Sequence, residues 1–326
     1  MEERNLFNDL TAKIKSLNET VWEGRASRES INIWLDNFAN EEERLHALYL
    51  LSQFMYFGST EIRELLVALF RDHIKYRILE SIRKENDDTT DLEFINSTYQ
   101  QRIKATKIMG MGNPSESGPY LLYFLRQENN LPNNLFCYSF DLLYRESGTE
   151  SLRYPDTIRY VFVDDFCGSG SQAARYSNSV VGDIKSLSPE SIIDYVALFA
   201  TENGIEYVKD NARFDYVGAV FEIDDSYKAF NDASRIFSAG YSSISKTIAR
   251  EMSERYGKIL MRYVCENWGC PPHHIDACSK DNALGFKDGQ LLLGFNHNTP
   301  DNTLPIFWAD QPNWHPMFRR YDKVYK

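Results

Sequence analysis

The stretch from Tyr160 to Ala174, YVFVDDFCGSGSQAA, constrains this chain more than any other. Tyr160–Val163 is an apolar run of strand character. It leads without a spacer into two adjacent carboxylates, Asp164 and Asp165, then into Gly168, Ser169, Gly170 and Ser171, and then into residues that open a helix. Backbone N–H groups at a helix N-terminus attract anions, and small residues let an anion come close. Adjacent carboxylates accept hydrogen bonds from paired hydroxyls. Which phosphate-bearing ligand wants two carboxylates beside such a loop stays open at this point, since at least three enzyme classes use something like it.

The surroundings of this stretch set the fold class. From about residue 104 the sequence alternates strand and helix patterns: ATKIMGMG, a short apolar run; SGPYLLYFLRQENN, a helix; NLFCYSF, a strand; then SIIDYVALFAT, ENGIEYVKDN and FDYVGAVFEI as strand, helix and strand. Such alternation predicts an α/β fold with a parallel sheet flanked by helices. Ligands of such sheets bind at the carboxyl ends of the strands, where the acid pair lies. Before this core, residues 1–103 read as a helical region, with Ser59-Thr60 as a helix start. After residues 104–226, the segment 227–326 reads as a helical and loop-rich extension.

Composition excludes several classes. The 326 residues are 43% hydrophobic, as in a globular protein, and no apolar run approaches the length of a membrane span. Met1-Glu2-Glu3-Arg4 has no apolar signal core, so a cytoplasmic location and no membrane partner are expected. A net charge of −11 argues against direct nucleic-acid binding. Five scattered cysteines in such a chain argue against structural disulfides. Cys265, Cys270, His273, His274 and Cys278 form a cluster whose spacings match no common zinc finger, and whether it holds zinc stays open. Cys167 is expected to be incidental to chemistry.

Three ligand classes use a strand, an acid and a glycine loop. Gly168-x-Gly170-x-x-Ala173 satisfies the loose dinucleotide pattern, yet the ribose-binding acid about 20 residues on is missing. DDFCGSGS and VFEIDDSY resemble elements of methyltransferases that use S-adenosylmethionine, but an extra strand separates them and the catalytic Pro-Pro-Tyr is absent. YVFVDDFCGSGS resembles the signature of the type I phosphoribosyltransferases position by position, with Gly168 where Thr is usual. The combination with Trp34-x-x-x-Phe38 and HNTPDNTLPIFW resembles the phosphoribosyltransferase-like effectors of bacterial conflict (anti-phage) systems.

That resemblance implies a ligand, phosphoribosyl pyrophosphate or a related ribose 5-phosphate, with Mg²⁺ carried by its pyrophosphate. Asp164 and Asp165 would take the ribose hydroxyls and Gly168–Ser171 the 5′-phosphate. Glu116, Ser117 and Gly118 would form the pyrophosphate loop. The polar stretch 141–157, with Arg145 and Arg153, would be a mobile hood. A glycosyltransferase and a non-catalytic nucleotide or ribose-phosphate sensor both fit this fold, and the methyltransferase is the third alternative. Asp224 and Asp225 are expected to cap a turn, while His297 and Asn298 either line a pocket or satisfy loop backbone. Among macromolecules, a protein partner or a homodimer is favoured. Trp34, Phe38, Phe54, Tyr56 and Phe57 in the N-terminal helices are the candidate interface.

Overall fold

The computed structural model describes residues 2–113, 116–146, 148–237, 240–311 and 313–321. The chain forms two compact units, one from Met1–Thr60 with Asp224–Lys326 and one from Glu61–Ile223. The leader expected over 1–103 is thus divided: its later helices cluster with the sheet, and its earlier ones cluster with the C-terminal segment.

Helices α1 (Glu2–Thr20), α2 (Arg28–Leu35) and α3 (Glu41–Ser52) lead into a three-residue strand, β1 (Met55–Phe57). Ser27 and Asn40 start α2 and α3 by accepting the N–H of Ser30 and Glu43 on their side chains. At the start of α4 (Ser59–Ala68), Glu23 accepts both the N–H and the hydroxyl of Ser59. The cap expected from Ser59-Thr60 is therefore supplied by a carboxylate 36 residues earlier.

A seven-residue π-helical segment, Leu69–Lys75, joins α4 to α5 (Tyr76–Lys84), and α6 (Leu92–Lys104) follows, capped by Asp91. Next come β2 (Thr106–Gly110), α7 (Ser117–Glu128), β3 (Leu143–Glu146), β4 (Thr149–Leu152), β5 (Arg159–Cys167), α8 (Ser171–Tyr176), α9 (Gly182–Leu187), β6 (Ile192–Thr201), α10 (Glu202–Asn211) and β7 (Tyr216–Ile223). The sheet has the order β2-β5-β6-β7, and every pairing in it is parallel. Alternation of side chains gives it two faces. Tyr160, Phe162, Tyr195, Ala197 and Val217 point to one, where Ala173, Ile184, Ile205 and Val208 of α8, α9 and α10 complete a buried cluster. Tyr216 points to the other, where His73 of the π-helical segment bonds its hydroxyl. With both faces covered, β6 is buried at all but its end residues and reads as an apolar run interrupted by Asp194, which is buried in an ion pair with Arg159.

One expected strand is absent. NLFCYSF folds into two 3₁₀ turns, Asn133–Leu135 and Ser139–Asp141, and touches the sheet through a single parallel bridge between Ile108 and Phe136. Pro132, the two asparagines and Ser139 favour turns on either side of too few apolar residues to sustain a ladder.

The C-terminal segment supplies α11 (Lys246–Asn267), α12 (Ile275–Asp281), β8 (Leu293–Phe295) and α13 (Pro305–Trp308). Here β8 pairs in parallel with β1, Met55 opposite Leu293. The aromatic residues of the leader are spent on this union. Trp34 stacks on Phe307 and donates its indole N–H to the Ile306 carbonyl at 2.8 Å. Phe54 stacks on Phe318 at 4.4 Å between ring centroids. Trp34, Phe38, Phe54 and Tyr56 are all buried. These four are internal packing and not the partner surface that the sequence suggested; Phe57, the fifth residue of that surface, is half-buried with its ring tilted against Phe295.

Candidate functional site

The acid pair lies within the last four residues of β5, which runs through both carboxylates to Cys167. Asp164 is held on two sides. The Tyr195 hydroxyl donates to its Oδ2 at 2.9 Å, and the Asp165 N–H donates to its Oδ1 at 3.0 Å. Tyr195 is fully buried on the neighbouring strand, and burial together with the Asp164 charge pushes its phenol well above the usual range. It therefore stays a donor at any physiological pH. Asp165 accepts the Phe166 N–H at 2.9 Å. Both carboxylates are half-buried, and each oxygen offers two acceptor sites, so neither is saturated by one such bond.

Beyond Cys167 the chain turns through Gly168, Ser169 and Gly170 into α8. Gly170 caps that helix in the left-handed region, φ +71°, which favours glycine. A Cβ there would also lie 2.7 Å from the Gly204 carbonyl oxygen. In return, a Cβ on Gly204 would lie 2.3 Å from the Gly168 oxygen, so α10 and the loop meet backbone to backbone. Thr201 fastens this contact: its hydroxyl donates to the Gly168 carbonyl at 2.6 Å and accepts the Gly204 N–H at 2.9 Å. Ser169 and Ser171 share a hydroxyl hydrogen bond of 2.9 Å at the helix start. The result is a fixed turn with small residues and hydroxyls at a helix N-terminus, an arrangement suited to a phosphate.

The loop after β2 approaches the same place. Its root is a glycine pair: a Cβ on Gly110 would fall 2.4 Å from the Gly118 carbonyl carbon, and one on Gly118 2.5 Å from the Met111 oxygen. This seats the first turn of α7 on the strand end. Glu116, just before α7, folds its carboxylate back over Gly112, which has φ +83°. Asn113 donates to it at 3.3 Å, and Gln172 of α8 donates to it at 3.4 Å. Glu116 thus bridges the two loops that the sequence singled out separately. Pro114 and Ser115, between them, lie outside the described residues.

The hood stretch is an antiparallel hairpin of β3 and β4 with Arg145 opposite Glu150. Arg153 is engaged at its base, donating from Nε to the Asp141 carbonyl at 2.9 Å. Among the described residues neither arginine touches the acid pair or the glycine loop, and Ser147 of the expected tip lies outside them. Leu142, Leu143, Leu152 and Tyr154 anchor the hairpin to the sheet's buried cluster.

Other candidates separate cleanly. Burial pushes the Cys167 thiol up to about 12, so it is no nucleophile. Asp224 caps a 3₁₀ turn, accepting the Ser226 N–H at 2.8 Å, and this hydrogen bonding holds its carboxyl below the usual range. Asn298 accepts the N–H groups of Thr299 and Tyr321, the backbone role; with His297 it also lines a shallow pocket of the first unit beside Arg25 and Tyr56. Cys265 and Cys278 are joined as a disulfide, against expectation. They lie 13 residues apart, and the turn between α11 and α12 returns one to the other.

Sequence inspection missed Tyr195, Thr201, Gly204 and Gly110. The Thr-x-x-Gly spacing of 201–204 is visible as a helix start, but its hold on Gly168 is a tertiary contact.

Mg²⁺ takes oxygen ligands and usually combines one or two carboxylates with substrate phosphates. Asp164, Asp165 and Glu116 supply such oxygens. Among the described residues, the one close group of three metal-ligating side chains is sulfur, Cys265, Cys270 and Cys278, which does not suit this ion.

No curated protein matches the chain significantly. Among solved structures it is similar to the adenine phosphoribosyl transferase of Trypanosoma brucei, crystallised with AMP, pyrophosphate and ribose-5-phosphate. Identity is 14%, the match covers 48% of this chain and 78% of that one, and the TM-score is 0.23. The PRTase-CE family model matches residues 31–320, a span that takes in the acid pair, both glycine loops, the hairpin and the C-terminal segment that completes the first unit. The chain belongs to the PRTase-CE family and is a phosphoribosyltransferase-like protein.

Proposed function

We propose that this protein binds phosphoribosyl pyrophosphate, or a close ribose 5-phosphate relative, at the carboxyl end of its parallel sheet. One observation carries the reading: two adjacent half-buried carboxylates near the end of β5 are followed, across Phe166–Ser169, by a left-handed glycine cap at a helix start. Neighbouring residues of a strand point to opposite faces, so Asp164 and Asp165 can serve one ribose only if it sits edge-on at the strand end. Each then accepts one of the 2′ and 3′ hydroxyls, while Tyr195 and the Asp165 N–H keep the first carboxylate oriented.

The 5′-phosphate sits over Gly168–Ser171, taking backbone N–H groups and the hydroxyls of Ser169 and Ser171. The pyrophosphate lies toward Glu116–Gly118, with the β3–β4 hairpin as hood. Mg²⁺, bound by pyrophosphate and ribose oxygens, would neutralise the leaving group. Asp164 and Asp165 beside C1 would favour the positive charge that develops on the sugar as pyrophosphate departs.

Calorimetric titration with Mg²⁺ and phosphoribosyl pyrophosphate tests the reading. The Asp164→Asn/Asp165→Asn protein should lose at least about 100-fold in affinity, since each charge-assisted hydrogen bond is worth roughly 1.5–3 kcal/mol, while its circular dichroism stays that of the wild type. Wild-type affinity in that variant would sink the ribose placement. Pyrophosphate release with acceptor bases separates enzyme from sensor, because a sensor binds without turnover. The anti-phage role drawn from the resemblance belongs to the same proposal, and the double substitution should then also remove protection of a bacterial host.

A further inference from the structure

The three cysteines where α11 ends and α12 returns, Cys265, Cys270 and Cys278, lie outside this chemistry. Their formation has a clear local cause. Gly269, at φ +77°, ends the helix; its N–H bonds the Glu266 carbonyl and the Cys270 N–H bonds the Cys265 carbonyl, both at 3.0 Å. This Schellman turn folds Cys270 back onto Cys265. Cys278 arrives independently on α12, and the ligand sulfurs of all three lie within 4.8 Å of one another. Cys265 is fully buried, and the other two are half-buried against the core of the first unit.

A disulfide uses two of these sulfurs and leaves the third, Cys270, as a thiol that donates to Cys278 Sγ at 3.3 Å. A metal uses all three. Zinc–thiolate bonds of about 2.3 Å in a tetrahedron separate sulfurs by about 3.8 Å, so once the disulfide is reduced Cys278 Sγ has to move off both partners by a small shift, within a group already held inside 4.8 Å. The turn between Cys270 and Cys278 also carries two exposed imidazoles, His273 and His274, whose ring centroids are 4.4 Å apart. Neither makes a side-chain hydrogen bond among the described residues.

We propose that in the reduced chain Cys265, Cys270 and Cys278 form a site for a soft divalent ion of the zinc class; the close ligand group is the three sulfurs alone, and an imidazole of the neighbouring His273–His274 pair swings in as the fourth ligand. Such an ion would tie α11 to α12 and add its binding free energy to the folding of this unit.

The test uses the full chain, reduced, freed of metal under anaerobic conditions and titrated with Co²⁺. One equivalent should bind, with intense thiolate-to-cobalt charge-transfer absorption that Zn²⁺ abolishes by displacement. Cys270→Ser, which leaves the Cys265–Cys278 pair intact, should lower that absorption by about a third and weaken binding by roughly tenfold or more. Either His273→Ala or His274→Ala should weaken it as well. The proposal falls if the reduced wild-type chain binds no Co²⁺ or Zn²⁺. It also falls if Cys270→Ser gives the wild-type cobalt spectrum, or if Cys265–Cys278 remains disulfide-bonded after reduction under native conditions.

Discussion

The two glycine loops of the sheet unit are built alike at their roots and differently at their tips. After β5, Gly170 and Gly204 meet backbone to backbone, and Thr201 bonds both sides of the contact. After β2, Gly110 and Gly118 make a similarly close junction. What the loops then present is opposite in sign. The first offers a helix N-terminus and serine hydroxyls. The second carries the Glu116 carboxylate, folded over Gly112 and tied to Gln172. One loop is ready for an anion as it stands. The other holds an anion of its own, which a diphosphate would have to displace or share through a metal.

Breaking the first junction should have the largest effect. In Gly204→Ala the new methyl would lie 2.3 Å from the Gly168 oxygen and 2.8 Å from the Cys167 oxygen, both backbone atoms with no rotamer to yield. Overpacking of this kind costs about 1–3 kcal/mol, and the displaced turn should lose at least about tenfold in affinity for phosphoribosyl pyrophosphate, since each 1.4 kcal/mol is tenfold. Gly182→Ala in α9 is the control: its nearest neighbour would be the tip of Arg213 at 3.4 Å, so stability and binding should hold. Calorimetry on both proteins decides it. Equal affinity in Gly204→Ala and wild type would mean that the junction does not hold the phosphate loop.

The contrast also marks what sequence can and cannot disclose. Asp164–Ser171 was legible because its requirements are local: a buried strand, adjacent acids, a turn too tight for side chains. The supports of that loop come from 31 and 33 residues later, where Tyr195 looks like any strand aromatic and Thr201 like any helix cap. NLFCYSF misled because apolar residues in a short run do not reveal whether a ladder partner exists. Periodicity in the leader showed that Trp34 and Phe38 face something apolar. It could not show that the something is α13 and Trp314, more than 250 residues away.

Glu116 gives the sharper and smaller test. Glu116→Gln keeps the size and, through its one amide oxygen, one of the contacts from Asn113 and Gln172, the other surviving if that partner's amide turns over, while the charge is removed. A unit charge about 4 Å from a phosphate at an effective dielectric near that of a protein surface is worth a few kcal/mol before solvent and Mg²⁺ screen it. After screening, affinity for pyrophosphate should rise by roughly three- to tenfold. Gly204→Ala and Glu116→Gln would then move binding in opposite directions, one loop losing its form and the other its repulsion. A fall in affinity for Glu116→Gln would instead make that carboxylate a ligand of the Mg²⁺ complex.

The smallest effect lies at the far end of the strands and separates sheet stability from loop chemistry. His73 bonds the Tyr216 hydroxyl through Nδ1 at 2.8 Å, at the first residue of β7, and the Arg77 guanidinium lies 3.5 Å over the Tyr216 ring. Burial is the main cause that pushes the His73 imidazole below its usual value; Arg77 acts in the same direction, while Asp72, Glu222 and a bond to the Ala219 backbone oppose it. The folded chain therefore binds this proton less readily than the unfolded chain. Stability from His73 is complete above the unfolded value of about 6.5 and is lost as pH falls through it toward the lower folded one. Thermal unfolding should drop further between pH 7.5 and 5.5 for wild type than for His73→Asn, which can keep a bond to Tyr216 without titrating. Because neither loop touches this histidine, the opposite responses of Gly204→Ala and Glu116→Gln should survive in the His73→Asn background. An identical pH dependence with and without His73 would assign the acid sensitivity to other groups, and a changed loop contrast would mean that the start of β7 controls the geometry at its end.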